Sequence, residues 1–546
     1  MAKVISKEKQ TGATFTPSIL ADYLANQIGL FLNFTDNQSI LDPACGDGEL
    51  LFSITRATNA NINLFGFDLN QEYVEKAKQI DDDWPGTITI EQGDFIQKDL
   101  EGGQQMFDAI IANPPYVRTQ VLGGERAQFL AKKYNLKGRV DLYYPFLIAM
   151  TNHLKVGGII GVITSNKYLF TKSGKSIREY LSRNYEILKV MDLGDTKLFP
   201  NAAVLPAIFI GKKINPNLSK QKLQTRFIKI YEDKSKQGKV KESIIHILNE
   251  ENNGSFIVEN KSYSKSTGTL YYSSNSGEVW SMMSDDEMNW AKRIEDSSMY
   301  LIKDFVKVRV GIKSNGDPIF IRDDWHKLEI VPESKLLKPI ISNHDFNKWQ
   351  SKKDISTLVL YPHFAKNGKK GVINLDDYPN AKNYLLPYKE TLEKRTYLIE
   401  AKRNWYELWV PQNPEYWPKP KLIFPDICDE AKFFYDDSGA IVNGNCYWIS
   451  GNDLANPDLL FLIQGVCNSK VIGKYHDLKF NNRLYAGRRR YFSQYIENYP
   501  IPDPNSKISQ EIITVVKELN KASYNSNSIK SLENKLNSLV EKAFNV

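Results

Sequence analysis

Short apolar runs alternate with helix-period stretches between residues 39 and 211. Runs at 39–42, 62–67, 87–91, 107–112, 158–164, 187–192 and 206–211 read as strands, being bounded by turn residues and too short for helices. A helical pattern opens at Leu50 and another spans 142–154. Strand and helix alternating over this length imply a doubly wound α/β sheet, with a closing hairpin near 187–211. Upstream, Ile19, Leu20, Tyr23, Leu24 and Ile28 recur at helical spacing. Thr16 is the expected N-cap of that helix, with Pro17 at its first position.

After residue 211 the texture changes. Residues 212–300 are dense in Lys, Ser and Asn, hold one clear strand at 226–231, and read as connection and domain boundary. From about 301 to 500, short aromatic-rich β-like runs (306–310, 357–361, 422–424, 445–450) alternate with Asn, Asp, Gly and Pro turns, and a helix is expected at 380–401. Ile529, Leu532, Leu536, Leu539 and Val540 fall at helical spacing, for which packing on the same domain is the default. The expected plan is a catalytic α/β domain at 1–245, a connecting segment at 246–300, an α+β domain at 301–505 and a helical segment at 506–546.

Composition narrows the class. A chain of 546 residues with 42% hydrophobic and 25% charged residues is an ordinary globule of two or three domains. No run approaches the roughly 20 apolar residues of a membrane span. The first ten residues are polar and mixed in charge, unlike a secretion signal, so a cytoplasmic protein without membrane partners is expected. Cysteines 45, 428, 446 and 467 lie far apart and the six histidines show no ligand spacing, so neither disulfides nor a metal is expected. Net charge is +7, and it is polarised. Residues 1–100 carry 15 acids against 7 Lys and Arg, whereas residues 101–250 carry 12 against 24. A basic stretch following an acidic one suits a rim that meets phosphates.

The chemistry sits at strand ends. The run 107–112 leads into Asn113-Pro114-Pro115-Tyr116. Two prolines stiffen the turn and remove amide donors, Asn113 adds an oxygen acceptor and Tyr116 a flat ring. That set is a receptor for a planar group carrying NH2, although taken alone the tetrapeptide reads equally as a turn. Strand 39–42 runs into Pro43-Ala44-Cys45-Gly46-Asp47-Gly48, whose glycines allow a tight turn and close ligand approach. Its acids Asp42, Asp47 and Glu49, with no Lys, disfavour pyrophosphate and suit a cation bearing ammonium and sulfonium, namely S-adenosylmethionine. Asp68, ending the second strand, is placed for a ribose diol. After the third strand, Asp94 can accept from a cofactor adenine amine and Phe95 can lie against its ring. Four such sites beyond consecutive strands fall where open α/β sheets bind ligands.

In this order the segments resemble the adenine-N6 DNA methyltransferases of the γ class, the TaqI-like group. The resemblance covers about the first 210 residues well and the remainder in layout. It implies a class I, Rossmann-like methyltransferase domain followed by a target-recognition domain. It implies that Thr16, Pro17, Asp42, Pro43, Ala44, Gly46, Asp68, Asp94, Phe95 and Asn113 line the cofactor pocket. Asn113, Pro114, Pro115 and Tyr116 would form the target-adenine site, and Phe199 would stack on the flipped base. Double-stranded DNA is the implied partner, met by a monomer, with a separate cognate endonuclease as a candidate companion. Lys394, Arg395, Arg403, Arg483, Arg488, Arg489 and Arg490 are the DNA-contact candidates, against a solvated basic face for each. Gly174-Lys175 reads as a polar loop near the site and 311–317 as a loop able to enter a groove.

Release-factor glutamine methylation uses the same tetrapeptide but goes with a small helical domain ahead of the cofactor motifs, where only a dozen residues stand here. Ribosomal RNA adenine methylation is the closer rival. A fused restriction-modification enzyme would need a further nuclease domain, and a pure DNA-binding module would not need the acceptors.

Overall fold

Each apolar run expected as a strand is one: β1 (Ser39–Asp42), β2 (Asn63–Asp68), β3 (Ile88–Gln92), β4 (Phe107–Ala112), β5 (Leu154–Ser165), β6 (Tyr185–Asp192) and β7 (Pro206–Lys213). The structure is a computed structural model. It describes residues 15–79, 84–102, 105–117, 123–138, 140–199, 205–215, 225–233, 237–270, 272, 277, 279–351, 355–366, 368–480, 487–522 and 527–546.

The runs are continuous rather than alternating because helices cover both faces of the sheet. Successive residues therefore enter different cores. Ile40, Ile111 and Ile163 join Leu24 and Ile28 of the helix Ser18–Leu32, while Leu41, Ile110 and Val162 join Phe146 and Leu147 of the helix Tyr143–His153. β1, β2, β3, β4 and β5 pair in parallel. β7 lies antiparallel between β5 and β6, which is the expected closing hairpin.

Four more strands extend the sheet: β8 (Thr225–Asp233), β9 (Lys239–Val240), β10 (Gly254–Val258) and β11 (Lys261–Leu270). The order is β3-β2-β1-β4-β5-β7-β6-β8-β11-β10-β9. This is the core order of class I S-adenosylmethionine-dependent methyltransferases. Strand order reverses between β1 and β4, so the turns after Asp42 and Ala112 flank the switch-point crevice.

The chain divides into one unit of Met1–Met288 with Phe480–Gly487, and a second of Asn289–Lys479 with Arg488–Val546. The first unit thus runs past residue 245, because β10 and β11 lie inside the segment expected to be a connection. Their Ser, Lys and Thr content hid them: residues 261–270 form an antiparallel strand against β8 without an apolar run. The polar loop expected around Gly174 is instead a short helix Lys167–Phe170, a 3-10 turn and the helix Lys175–Asn184. Buried Arg178 ties them together by donating to the Tyr168 and Thr171 carbonyls.

The second unit is the expected mixture of helices and short strands. One four-stranded sheet joins Val308–Val310, Cys446–Ser450, Lys421–Pro425 and Phe434–Asp436; another joins Ile321–Arg322, Leu358–Leu360, Leu337–Ile341 and Ile441–Val442. The helix expected at 380–401 is broken into Pro379–Leu385, Lys389–Glu393 and Thr396–Glu400, with Pro387 in the 3-10 turn between the first two. The terminal helices Lys507–Lys521 and Asn527–Ala543 pack on Leu459–Asn468, where a Cβ on Gly465 would lie 2.7 Å from Val516 and 3.2 Å from Leu536. No helix among the described residues is long and apolar enough to cross a membrane.

The first helix approaches the sheet closely at one point. A Cβ on Gly161 of β5 would stand 2.8 Å from Ile28 and 3.0 Å from Leu24. Gly161→Val should therefore push this helix off the sheet and cost about 1–3 kcal/mol in chemical denaturation. An unchanged denaturation midpoint would show that the helix is not held there.

Candidate active site

The acidic turn after β1 is built from inside out. Asp42 is fully buried; its Oδ1 accepts from the Ala44 amide at 3.1 Å, and its Oδ2 has no hydrogen-bond partner among the described residues. Burial pushes its carboxyl up to about 8, and neighbouring Asp68 and Asp47 raise it further against the lowering by the Ala44 amide. Gly46 and Gly48 have φ of +54° and +90°, the left-handed region that glycine enters freely. That lets the Gly46 amide donate to Asp68 Oδ2 at 3.0 Å while the Asn70 amide donates to Oδ1 at 2.8 Å. Asp68 is thereby clamped, with remaining lone pairs for a diol.

These residues fit S-adenosylmethionine. A buried, unpartnered carboxylate oxygen beside two further acids calls for a cation, and the ammonium of the methionine moiety supplies one. Pro43 and Ala44 complete the turn. One expected cofactor contact is corrected. Phe95 is only 2% exposed, its ring packed among Phe67, Phe146 and His153, so no face is offered to an adenine. Asp94 is the N-cap of the helix Phe95–Leu100, accepting from the Ile96 and Gln97 amides, and its Oδ2 takes Arg126 at 3.0 Å.

Across the switch point, Asn113 leaves β4 with both ends of its amide engaged. Tyr116 donates its hydroxyl to Oδ1 at 2.5 Å, and Nδ2 donates to Thr16 Oγ1 at 3.0 Å. The 2.5 Å separation suits O–H···O, which places the amide oxygen toward Tyr116. Burial pushes the Tyr116 phenol well above its ordinary value, so it stays protonated and able to donate. Pro114 is buried; Pro115, Asn113 and Tyr116 are half-buried. Val117 then accepts from the Leu142 amide at 3.0 Å, tying the turn to the next helix.

Thr16 itself is a correction. The cap of the helix Ser18–Leu32 is Pro17, whose carbonyl accepts from Leu20 and Ala21, so the Thr16 hydroxyl is not spent on capping. Phe199 is a second one: at 4% exposure it belongs to the hydrophobic core with Met191 and Ile208, and its ring is not presented to a base. What sequence reasoning missed lies nearby. Buried Asp192 ends β6 and accepts from Asn166 Nδ2 at 2.9 Å, Tyr231 hydroxyl at 2.6 Å and the Gly194 amide at 3.2 Å. An acid closing an apolar strand was the available signal.

In the second unit three of the six described basic candidates hold the fold together. Arg395 is 7% exposed and donates to the carbonyls of Leu392, Ser314, Glu407 and Trp405. Arg403 binds the Glu407 carboxylate and the Leu408 and Trp409 carbonyls. Arg489 forks onto Asp477 and reaches the Asp429 carbonyl. Their guanidiniums are consumed by acceptors that would otherwise be buried unpaired. Lys394 pairs with Glu390, Arg488 is exposed, and Arg490 lies over the Phe492 ring. Arg483 lies outside the described residues. The segment 311–317 is no free loop: Gly311 and Ile312 bond to the Cys446 and Val442 carbonyls, and Lys313 exchanges backbone bonds with Val410.

This unit also carries a cationic cleft. About 570 Å³ in volume, it is lined by residues including Lys307, Arg309, Lys313, Lys370, Gln412 and Asn413, with no Asp or Glu among the described residues that line it. Arg309 is committed to Asp453, whereas Lys307, Lys313 and Lys370 are exposed. Lys370 projects from a two-stranded ribbon, His363–Lys366 with Lys369–Val372. That ribbon is anchored by His363, which burial holds neutral by lowering it to about 3, and whose Nε2 accepts from the Leu408 amide at 3.1 Å.

Comparison with known proteins agrees with this division. Residues 49–199 match the family described as Eco57I restriction-modification methylase, and residues 366–501 match the TaqI-like C-terminal specificity domain. The chain is 46% identical to the type II methyltransferase M.BanIII of Aneurinibacillus aneurinilyticus, with 100% of this chain and 98% of that protein covered. It is 25% identical to the type II methyltransferase M.BstVI of Geobacillus stearothermophilus, covering 91% and 90%. Among solved structures it is similar to the methyltransferase subunit of a type I restriction-modification system from Streptococcus thermophilus, 20% identical, TM-score 0.33, covering 40% of this chain and 47% of that one. That last likeness is too remote to add to the strand order.

The raised Asp42 carboxyl has a thermodynamic consequence. The folded chain keeps this proton where the unfolded chain has lost it, so Asp42 lowers stability progressively from about pH 4 to about 8. Asp42→Asn should therefore gain Tm relative to the parent between pH 5 and 9, by about 3 °C or more, while S-adenosylmethionine binding weakens about tenfold or more. Melting curves at both pH values and calorimetric titration check this; a Tm difference independent of pH contradicts it.

Proposed function

Because the chain belongs to the type II DNA methyltransferases of restriction-modification, we propose that it methylates the exocyclic N6 amine of an adenine turned out of duplex DNA. The observation that carries this reading is the Asn113 amide, oriented with its oxygen toward Tyr116 and its nitrogen toward Thr16. An aromatic amine is a poor nucleophile because its lone pair is delocalised into the ring. Acceptance of its protons by Asn113 Oδ1 and the Pro114 carbonyl favours the pyramidal amine and frees that lone pair. As the amine attacks, positive charge builds on nitrogen, and these fixed dipoles complement it without reorganisation.

S-adenosylmethionine, when bound, supplies an electrophilic methyl group and a neutral thioether leaving group. Asp42 and Asp68 orient it, on the opposite side of the switch point from the catalytic turn. Asn113 and Tyr116 orient the amine, so much of the barrier reduction comes from positioning. The amine is unreachable inside a stacked duplex, hence the base must leave the helix. Tyr116 offers the ring on which it rests, offsetting roughly 1–3 kcal/mol of lost stacking. Methylation at a ring carbon of cytosine would need a reactive thiolate. The cysteine of the cofactor turn, Cys45, is buried and burial pushes its thiol up, so it is protonated and inert.

Duplex phosphates are met by the second unit through Lys307, Lys313 and Lys370 around the cationic cleft. Lysines around this concavity position the backbone, while Gln412 and Asn413 bring the amide groups that read base edges.

Incubation with S-adenosylmethionine and duplex DNA, followed by digestion to nucleosides, should yield N6-methyladenine. Asn113→Ala should reduce the rate about 1000-fold while keeping cofactor and DNA affinity. Methylcytosine as the product, or an active Asn113→Ala, would contradict the reading. Replacing Lys307, Lys313 and Lys370 together by Ala should weaken DNA binding equally across sequences and reduce the slope of log affinity against log salt by about 3. An unchanged slope would remove the cleft from the DNA interface.

A further inference from the structure

We propose that Gln412 is a specificity-determining residue, whose side-chain oxygen accepts from the exocyclic amine of an adenine or cytosine in the recognised site. The inference rests on the reading of the cationic cleft as a DNA surface. Gln412 lines that cleft and donates from Nε2 to the Val310 carbonyl at 2.7 Å. A carbonyl can only accept, so the reverse orientation would set two acceptors against each other, and the amide is held one way round. Its Oε1 receives no hydrogen bond among the described residues. Gln464, by contrast, serves the fold: fully buried, it donates to the Lys348 and Phe433 carbonyls and engages Asn520 through both ends of its amide. Neighbouring Asn413 is held the opposite way, its Oδ1 accepting from the Glu415 amide at 3.3 Å. Of the two amides at the cleft, Gln412 is the one that brings an unengaged oxygen.

The backbone fixes where that oxygen stands. Val410 exchanges backbone hydrogen bonds with Lys313, and the Pro411 carbonyl accepts from the Tyr361 hydroxyl at 2.6 Å. Gln412 follows with φ of +64°, a left-handed conformation that a glutamine keeps only where its surroundings impose it. Phosphate oxygens accept hydrogen bonds and suit Lys307, Lys313 and Lys370, but a carboxamide oxygen repels them. It needs a donor. The major groove presents two, the amines of adenine and cytosine, where thymine and guanine turn a carbonyl oxygen toward the reader. The minor groove would offer the guanine amine alone. The two-stranded ribbon that carries Lys370 is of a shape the major groove admits. Guanine or thymine at the position read by Gln412 would set oxygen against oxygen, so the residue rejects as well as selects.

The recognised site is first read from the positions that the chain methylates in plasmid DNA. Duplexes are then made in which hydrogen replaces the amine of one non-target adenine, cytosine or guanine at a time. Their binding to the full chain and to Gln412→Ala is measured by fluorescence anisotropy at one salt concentration. For the parent, loss of one adenine or cytosine amine should weaken binding about tenfold. Gln412→Ala should weaken binding of the unmodified duplex by a similar factor and make that one amine irrelevant, while every other analogue keeps its effect. The slope of log affinity against log salt should stay that of the parent, since no phosphate contact is removed. Gln412→Met, of similar length, repeats the cycle if melting shows the Ala variant to be unfolded. Additive losses at every adenine and cytosine overturn the proposal. So does coupling to a guanine amine, which would place Gln412 in the minor groove. Failure of the underlying reading is separately visible: replacing the cleft lysines would then leave the salt slope unchanged, whatever Gln412 does.

Discussion

A single side-chain amide at the end of β4 governs the account. Under the proposed reaction Asn113 is useful only if its oxygen faces the incoming amine, and a hydroxyl stands at each end of its amide. Tyr116 approaches from three residues along the same turn, Thr16 from the far N-terminal segment. One contact is local and follows from the proline-stiffened corner. The other is long-range and exists only once the first helix has docked on the sheet. The turn 113–116 is thereby tied to tertiary packing at a point where the tetrapeptide alone would be a turn like many others.

The cofactor side is governed by a different constraint, a carboxylate buried at a cost. Asp42 sits without a partner for one oxygen, and burial holds its carboxyl near pH 8. Such a group is poor for stability and good for capturing a cation, which is the trade expected where a site is built for a ligand. Asp68 is handled in the opposite way, clamped by two backbone amides. Both acids terminate neighbouring parallel strands, so the sheet sets their spacing and the loops need only expose them.

Legibility followed burial. Strands β1 to β7 could be read because both faces of the sheet are covered, which forces unbroken apolar runs such as Phe107–Ala112. Strand β11 could not, since its Ser, Lys and Thr residues resemble a linker until β8 supplies the partner. The strand-end placement of Asp42, Gly46, Asp68 and Asn113 was legible because each is a polar or glycine residue at or just after an apolar run. Phe95 and Phe199 were misjudged because an aromatic next to a turn carries no mark of which way its ring faces; both rings are in the core. Arg395, Arg403 and Arg489 failed for a related reason. A guanidinium reads as surface charge in sequence, yet its five donors are also what a loop-rich fold uses to satisfy buried carbonyls. The exposed lysines of the cleft, scattered over residues 307–370, become a cluster only in three dimensions.

The most direct test is a crystal structure of the chain with a non-reactive analogue of S-adenosylmethionine and duplex DNA carrying its target site. The account predicts an extruded adenine with N6 about 3 Å from Asn113 Oδ1, lying against Tyr116, with Asn113 Nδ2 still on Thr16. A target base left in the stack, or an Asn113 amide turned so that its nitrogen meets the amine, would contradict it.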